Sequence, residues 1–350
     1  MNNYHSQSKE VQRFILEQTA LKQGVSKQIV EKDLWVSVLL EVIFTLPFAD
    51  KLVFKGGTSL SKVWGVIDRF SEDIDLAFDR SLFGYEGDLT VRQLKKLRKT
   101  SSLFVCNEFC EELLAAIEQH GLGASLTIEA QPDGTGDRTY PEPRQIFITY
   151  NSLFNNKLPY IKPRIILEVG ARSLFEPTQK ACIDSMVTTA FPDIQTSLVK
   201  TELTTAVAAK TFLEKAFLLH ELFTTDACSK AERKSRHLYD LERMMDKEFA
   251  ISAIKNHALW NTIHHHREIF TRLHNVDYTP DIRSRIALVP PAEHYQLWAN
   301  DYADMQAGMI YGDSIPFDKL IERMKELEQR FRSLNDSTSP ALCSSDRPRQ

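Results

Sequence analysis

Asp73 and Asp75 stand two residues apart in Arg69-Phe70-Ser71-Glu72-Asp73-Ile74-Asp75-Leu76. Ile74, Leu76 and Phe78 alternate with Asp73, Asp75 and Ala77, which predicts a strand with one apolar and one acidic face. Residues two apart on a strand share a face, about 6–7 Å apart along the chain. Carboxylates that close repel each other and raise one another's pKa unless a cation lies between them. Mg²⁺, or Mn²⁺ in its place, suits such a pair: it takes oxygen ligands and keeps waters that a phosphate can replace. Two such ions about 3.5–4 Å apart activate an attacking oxygen and stabilise a leaving one. An Asp-x-Asp pair alone is common on exposed strands and assigns nothing by itself.

The second feature is Gly56-Gly57-Thr58, read as a turn between the strand Lys51-Leu52-Val53-Phe54 and a helix turn over 59–64. Two glycines let backbone approach a phosphate closely, free N–H groups at a helix start point toward it, and Thr58 adds a hydroxyl. Fourteen residues separate Thr58 from Asp73. That connection lets the two strands lie side by side, with the glycine cradle facing the acids. Arg69 and Ser71, just ahead of the acids, are placed to hold triphosphate oxygens.

The surrounding elements must position these residues. Residues 8–46 read as two helices, with the break at Gly24-Val25-Ser26 and Ser26 as N-cap. Residues 90–121 read as helix and carry the basic run from Arg92 to Lys99, a solvated face or an RNA-backbone contact. Residues 124–130, 145–150 and 164–169 read as strands, and 132–143 as a loop rich in Gly and Pro. From about 200 the chain reads as helical, over 202–223, 230–248, 250–270, 292–307 and 316–334. The division is a mixed α/β lobe over 1–195, a helical lobe over 196–334 and a disordered tail over 335–350.

The 350 residues suit two packed lobes, and 43% apolar residues suit a sizeable core. The net charge of −4 excludes a uniformly basic nucleic-acid binder, so any RNA contact is a local patch. No signal pattern or membrane-length apolar run is present, and five scattered cysteines fit a reducing compartment, so a cytoplasmic protein is expected. Cys106 and Cys110, four apart, lack a second half for a metal site. His264-His265-His266 read as a polar helix face, since adjacent helical residues diverge.

Gly-Gly-Thr-Ser-Leu followed by the Arg69–Leu76 segment resembles the motif of the AbiEii/AbiGii-type nucleotidyltransferases, within the polymerase-β superfamily. Glu31-Lys32-Asp33-Leu34-Trp35-Val36, Phe212-Leu213-Glu214-Lys215-Ala216-Phe217-Leu218-Leu219-His220, Arg236-His237-Leu238-Tyr239-Asp240-Leu241 and the stretch from Tyr302 to Phe317 resemble further segments of that family. The resemblance runs from about 30 to 330. It implies an α+β fold with a polymerase-β-type core followed by a helical lobe. It also implies the toxin of a type IV toxin–antitoxin or abortive-infection system, moving a nucleotide from an NTP to an acceptor, in some relatives a tRNA 3′ end. A cognate antitoxin is an implied partner. Two departures stand out: the gap between glycines and acids is slightly longer than usual, and His237 stands where many relatives have Asp, leaving Asp240 to serve alone.

Within that resemblance Asp73, Asp75 and Glu168 are the expected metal-holding carboxylates, and Glu168 is also the expected acceptor of the attacking group's proton. Lys215 is expected to neutralise triphosphate charge. Gly56, Gly57, Thr58, Arg69, Ser71 and Asp240 complete the expected nucleotide site, with Asp240 paired to Lys215 or Arg236 or structural. Glu31, Lys32 and Asp33 are placed near the cleft or on a helix surface. Two rival readings remain open: a small-molecule nucleotidyltransferase, and an NTP-binding or antitoxin-partner protein without catalysis.

Overall fold

The computed structural model describes residues 2–71, 73–136, 139–154, 162–199 and 201–334. The expected tail over 335–350 and the motif residue Glu72 lie outside the described residues. Gly24, at φ +68°, ends α1 (Lys9–Gln23), and Ser26 caps α2 (Lys27–Ile43) by accepting from the Ile29 N–H. Helix α2 is buried on nearly every side, polar residues included. Glu31 accepts from the Leu153 N–H and the Ser152 hydroxyl, each at 2.6 Å. Asp33 takes the Lys62 ammonium at 2.5 Å and the Met186 N–H at 2.7 Å. The Glu31-Lys32-Asp33 segment is thus an internal brace rather than a helix surface.

Among the described residues the strands are, in chain order, β1 (Asn2–Asn3), β2 (Leu52–Lys55), β3 (Ile74–Phe78), β4 (Leu126–Ala130), β5 (Arg144–Tyr150), β6 (Arg164–Gly170), β7 (Thr178–Ala181), β8 (Ile194–Gln195) and β9 (Leu203–Ala206). β1 pairs with β8, and the other seven form one mixed sheet in the order β4-β5-β6-β3-β2-β9-β7. β3 lies between β6, to which it is parallel, and β2, to which it is antiparallel. Ile74, Leu76 and Phe78 point into a core shared with α2 and with α4 (Val91–Phe104) and α5 (Cys110–Gln119). On the opposite face Val53, Ala77 and Ala206 form a small apolar patch. Short side chains there leave room beside Asp75.

The remaining helices are α3 (Gly56–Lys62), α6 (Met186–Ala190), α7 (Ala208–Phe223), α8 (Arg236–Met244), α9 (Glu248–Lys255), α10 (His257–His266), α11 (Tyr295–Gly308) and α12 (Phe317–Arg332). α7 through α12 surround a second core that also takes Leu60 of α3 and Ile67, while Phe270 packs into the first. The two cores therefore interlock at α3. No helix among the described residues is long and apolar enough to cross a membrane.

Two local readings change. Residues 203–206, assigned by pattern to a helix from 202, form β9, parallel to β2 with Phe54 opposite Thr205. Its two threonines suit a strand, and pairing on both sides decides the outcome. Gly56-Gly57-Thr58 ends a strand and starts a helix as expected, forming the first turn of α3. The helix expected over 250–270 breaks at Asn256, whose side chain caps α10 by accepting from the Leu259 N–H.

Candidate active site

Pairing register builds the site. Lys55 on β2, Asp75 on β3, Glu168 on β6 and Gln145 on β5 fall at one level across four adjacent strands. Residues level with each other across a sheet share a face, so this rung sets a cation, two carboxylates and an amide in a row. Gln145 Nε2 donates to Glu168 Oε1 at 2.7 Å and fixes that carboxyl. Partial burial, and then the neighbouring Asp75 charge, raise the Glu168 pKa. Asp73 precedes the first residue of β3 rather than lying within the strand, and it lines the same cleft as Asp75 and Glu168.

The glycines stand where side chains would collide with this rung. Gly56 has φ +79°, and a Cβ on it would lie 2.0 Å from Asp75 Oδ2. A Cβ on Gly57 would meet the Arg69 guanidinium at 2.7 Å and Ser71 Oγ at 2.8 Å. Both glycines and Ser71 line the cleft, but Thr58 is buried and does not. Thr58 Oγ1 lies 2.5 Å from the Asp73 carbonyl and 3.0 Å from Ser71 Oγ. The carbonyl only accepts, so the Thr58 proton goes there. Thr58 holds the backbone of the acidic segment instead of offering a hydroxyl to the cleft.

Arg69 and Asp240 also sit differently from the sequence expectation. Asp240, fully buried, accepts from Arg69 Nε at 2.7 Å and from a second Arg69 nitrogen at 2.8 Å. Lys215 reaches the same carboxylate at 2.8 Å and His237 Nδ1 at 3.2 Å. Asp240 thus pairs with Arg69 and Lys215, not Arg236. Burial alone would raise the Asp240 pKa, but Arg69 and Lys215 outweigh it and hold the carboxyl well below the usual range. Burial lowers the Lys215 pKa, with Asp240 opposing it. Burial, then Lys215 and Arg236, drive the His237 pKa far down, so its ring is neutral. This network lies under the glycine turn, joining α7 and α8 to the segment between α3 and β3.

The cleft has a volume of about 500 Å³ and brings Asp73, Asp75, Glu168, Gly56, Gly57, Arg69, Ser71 and Lys215 onto one wall system. It also contains Lys55 and Arg236, which sequence reasoning did not assign. Neither side chain forms a hydrogen bond or close ion pair among the described residues. Lys55 was legible in principle: antiparallel pairing of the strands flanking the glycines sets the residue before Gly56 opposite Asp75. Arg236 depends on how α8 docks, which spacing does not give. His266 lines the cleft and stacks on Phe270 at 4.7 Å, so the triple-histidine face is not simply solvated. Glu142 also lines the cleft, but its carboxylate is held by the Ala171 and Arg172 N–H groups and the Ser101 hydroxyl.

Among the described residues, no group of three or more His, Cys, Asp or Glu side chains lies close enough to hold one metal ion. The set Asp73, Asp75 and Glu168 is therefore not drawn together as a ready three-ligand site. Its donors still suit Mg²⁺, which is commonly held by one or two carboxylates plus waters and substrate phosphates. Burial, and then the Asp75 charge, raise the Glu168 pKa, and a divalent cation beside the pair would offset both. Cys106 and Cys110 are free thiols.

A seven-stranded mixed sheet whose central strands set acids beside a glycine-started helix, packed with a second, helical core, defines an α+β protein with a charged cleft of about 500 Å³. The chain belongs to the AbiEii nucleotidyl transferase toxin family of type IV toxin–antitoxin systems, whose model matches residues 38–323. A comparison with curated proteins finds no match.

Proposed function

We propose that this chain is a Mg²⁺-dependent nucleotidyltransferase, Mn²⁺ serving in its place. It transfers NMP from an NTP to an RNA hydroxyl, that of a tRNA 3′ end, as the toxin partner of a cognate antitoxin in the cytoplasm. The observation that carries this reading is the single sheet rung of Lys55, Asp75 and Glu168, with Asp73 beside it and Gly56 against the Asp75 carboxylate. The arrangement of β2, α3, β3 and β6 supports a polymerase-β-type core, with α7 to α12 as its helical lobe.

In the reaction the acceptor oxygen attacks the α-phosphorus, and a new P–O bond forms. The bond from that phosphorus to the bridging oxygen of the β-phosphate breaks, and pyrophosphate leaves with the electron pair. Glu168, its carboxyl fixed by Gln145, takes the acceptor proton. Lys55, Arg236 and Lys215 offset triphosphate charge, and Gly56 and Gly57 admit phosphate oxygens close to the backbone. Divalent ions held by Asp73 and Asp75, with Glu168, would polarise the phosphate and the attacking oxygen. Thr58, Arg69 and Asp240 act one layer below, as positioning residues.

The test incubates the protein with total tRNA, Mg²⁺ and each labelled NTP, with Asp73→Ala as control. Label on RNA from wild type, lost in the variant, is expected. Transfer that survives Asp73→Ala would overturn the assignment.

A further inference from the structure

A second cavity, of about 400 Å³, meets the first at Asp73 and Arg236, the two residues that line both. In-line displacement requires the attacking oxygen to approach the α-phosphorus opposite the leaving pyrophosphate. If the triphosphate fills the first cleft, the acceptor must arrive from the other side of Asp73, where the second cavity opens. The geometry points to this second cavity as the acceptor site, built for the 3′-terminal segment of a single-stranded RNA. This rests on the nucleotidyl-transfer reading above.

Strand β6 links the two cavities. Arg164 and Ile166 line the second cavity and Glu168 the first; alternate residues share a face. Arg164 is thus about 13 Å from Glu168 along the strand, at roughly 3.3 Å per residue. That leaves space for a terminal nucleoside between a phosphate-binding cation and the acids. Phe70, Ile166, Met305 and Met309 give the intervening walls an apolar surface suited to a base. Lys162, Arg164, Arg233 and Arg236 set cations around the opening. Four acids also line it, Asp73 at the junction among them. Asp301 is engaged, accepting from the Arg233 and Ser235 N–H groups and the Ser235 hydroxyl, while Glu232 and Asp304 are exposed at the rim. Beyond Asp73 at the junction, the inner wall is therefore cationic and apolar, which fits an RNA strand better than a small neutral acceptor.

The test measures binding of a 5′-fluorescent RNA oligonucleotide ending in a 3′-hydroxyl, by anisotropy, to the full chain with Mg²⁺ and a non-hydrolysable NTP analogue. Arg164→Glu and Lys162→Glu are each compared with wild type and with Arg92→Glu and Lys96→Glu on α4. The expected result is at least tenfold weaker RNA binding for the two cavity variants, with affinity for the NTP analogue within twofold of wild type. The α4 variants should stay within twofold for both ligands. Unchanged RNA affinity in both cavity variants, or an equal loss in the α4 variants, would overturn the acceptor site while leaving the transfer reading intact. Analogue affinity serves as the check on folding, and Arg164→Gln provides a milder change if Arg164→Glu loses it. Absence of transfer to any acceptor would remove the transfer reading itself, and this site with it.

Discussion

Gly56 has no room for a side chain: its φ is +79°, and a Cβ would strike Asp75 Oδ2. Gly56→Ala should cost about 1–3 kcal/mol of stability, from the left-handed backbone and the displaced carboxylate. It should also cut transfer far more than it lowers Tm, which paired thermal scans and rate assays would show. Asp240 presents the opposite case, a residue that touches no substrate. Asp240→Asn leaves two buried cations facing a neutral amide, and should destabilise the fold by about 3–5 kcal/mol. The folded Asp240 pKa is depressed, so its contribution is fully present above the unfolded value, about 3.9. It is lost as pH falls from there toward the folded value. Acid unfolding curves of wild type and Asp240→Asn should therefore converge below about pH 4. Glu168 has the reverse sign. Its folded pKa is raised, so ionisation costs stability as pH climbs past the ordinary glutamate value. Glu168→Gln should raise Tm at pH 7 while abolishing transfer; a lowered Tm would contradict the strained pair. At this scale the acids and glycines were legible from residue type and spacing. The partnership of Arg69 with Asp240 was not, because it spans 171 positions and depends on how α8 docks.

Helix α2 shows how elements fix the site from a distance. Asp33 joins it to α3 through Lys62 and to the start of α6 through the Met186 N–H. Asp33→Ala should cost about 2–4 kcal/mol, since it strands a nearly buried ammonium and a backbone donor. The same substitution should loosen α3 and weaken nucleotide binding, measurable by calorimetry on the folded variant. Helical periodicity made α1, α2, α4 and α5 readable, and alternation made β3, β4, β5 and β6 readable. β9 was not, because Leu203 to Ala206 is buried on both faces and shows no alternation. Its threonines find their role only in the sheet, where Thr205 Oγ1 donates to the Phe54 carbonyl at 3.0 Å.

The whole molecule is two interlocked cores with the charged cleft at their junction. The first core holds the sheet and the second holds α7 to α12, while α3 contributes Leu60 to the second although its strand neighbours belong to the first. This lets the Arg69–Asp240–Lys215 network lock the helical half against the acidic segment. The net charge of −4 disguises the cleft's local cations, which composition cannot reveal. Nucleotidyl transfer at this cleft requires attack at the α-phosphorus. With RNA and Mg²⁺, label should reach the RNA from an NTP labelled on the α-phosphate and not from one labelled on the γ-phosphate. One pyrophosphate should be released per label, and Asp75→Asn should slow transfer by at least about 100-fold. Transfer of γ-label, or α-label transfer undiminished in Asp75→Asn, would contradict it.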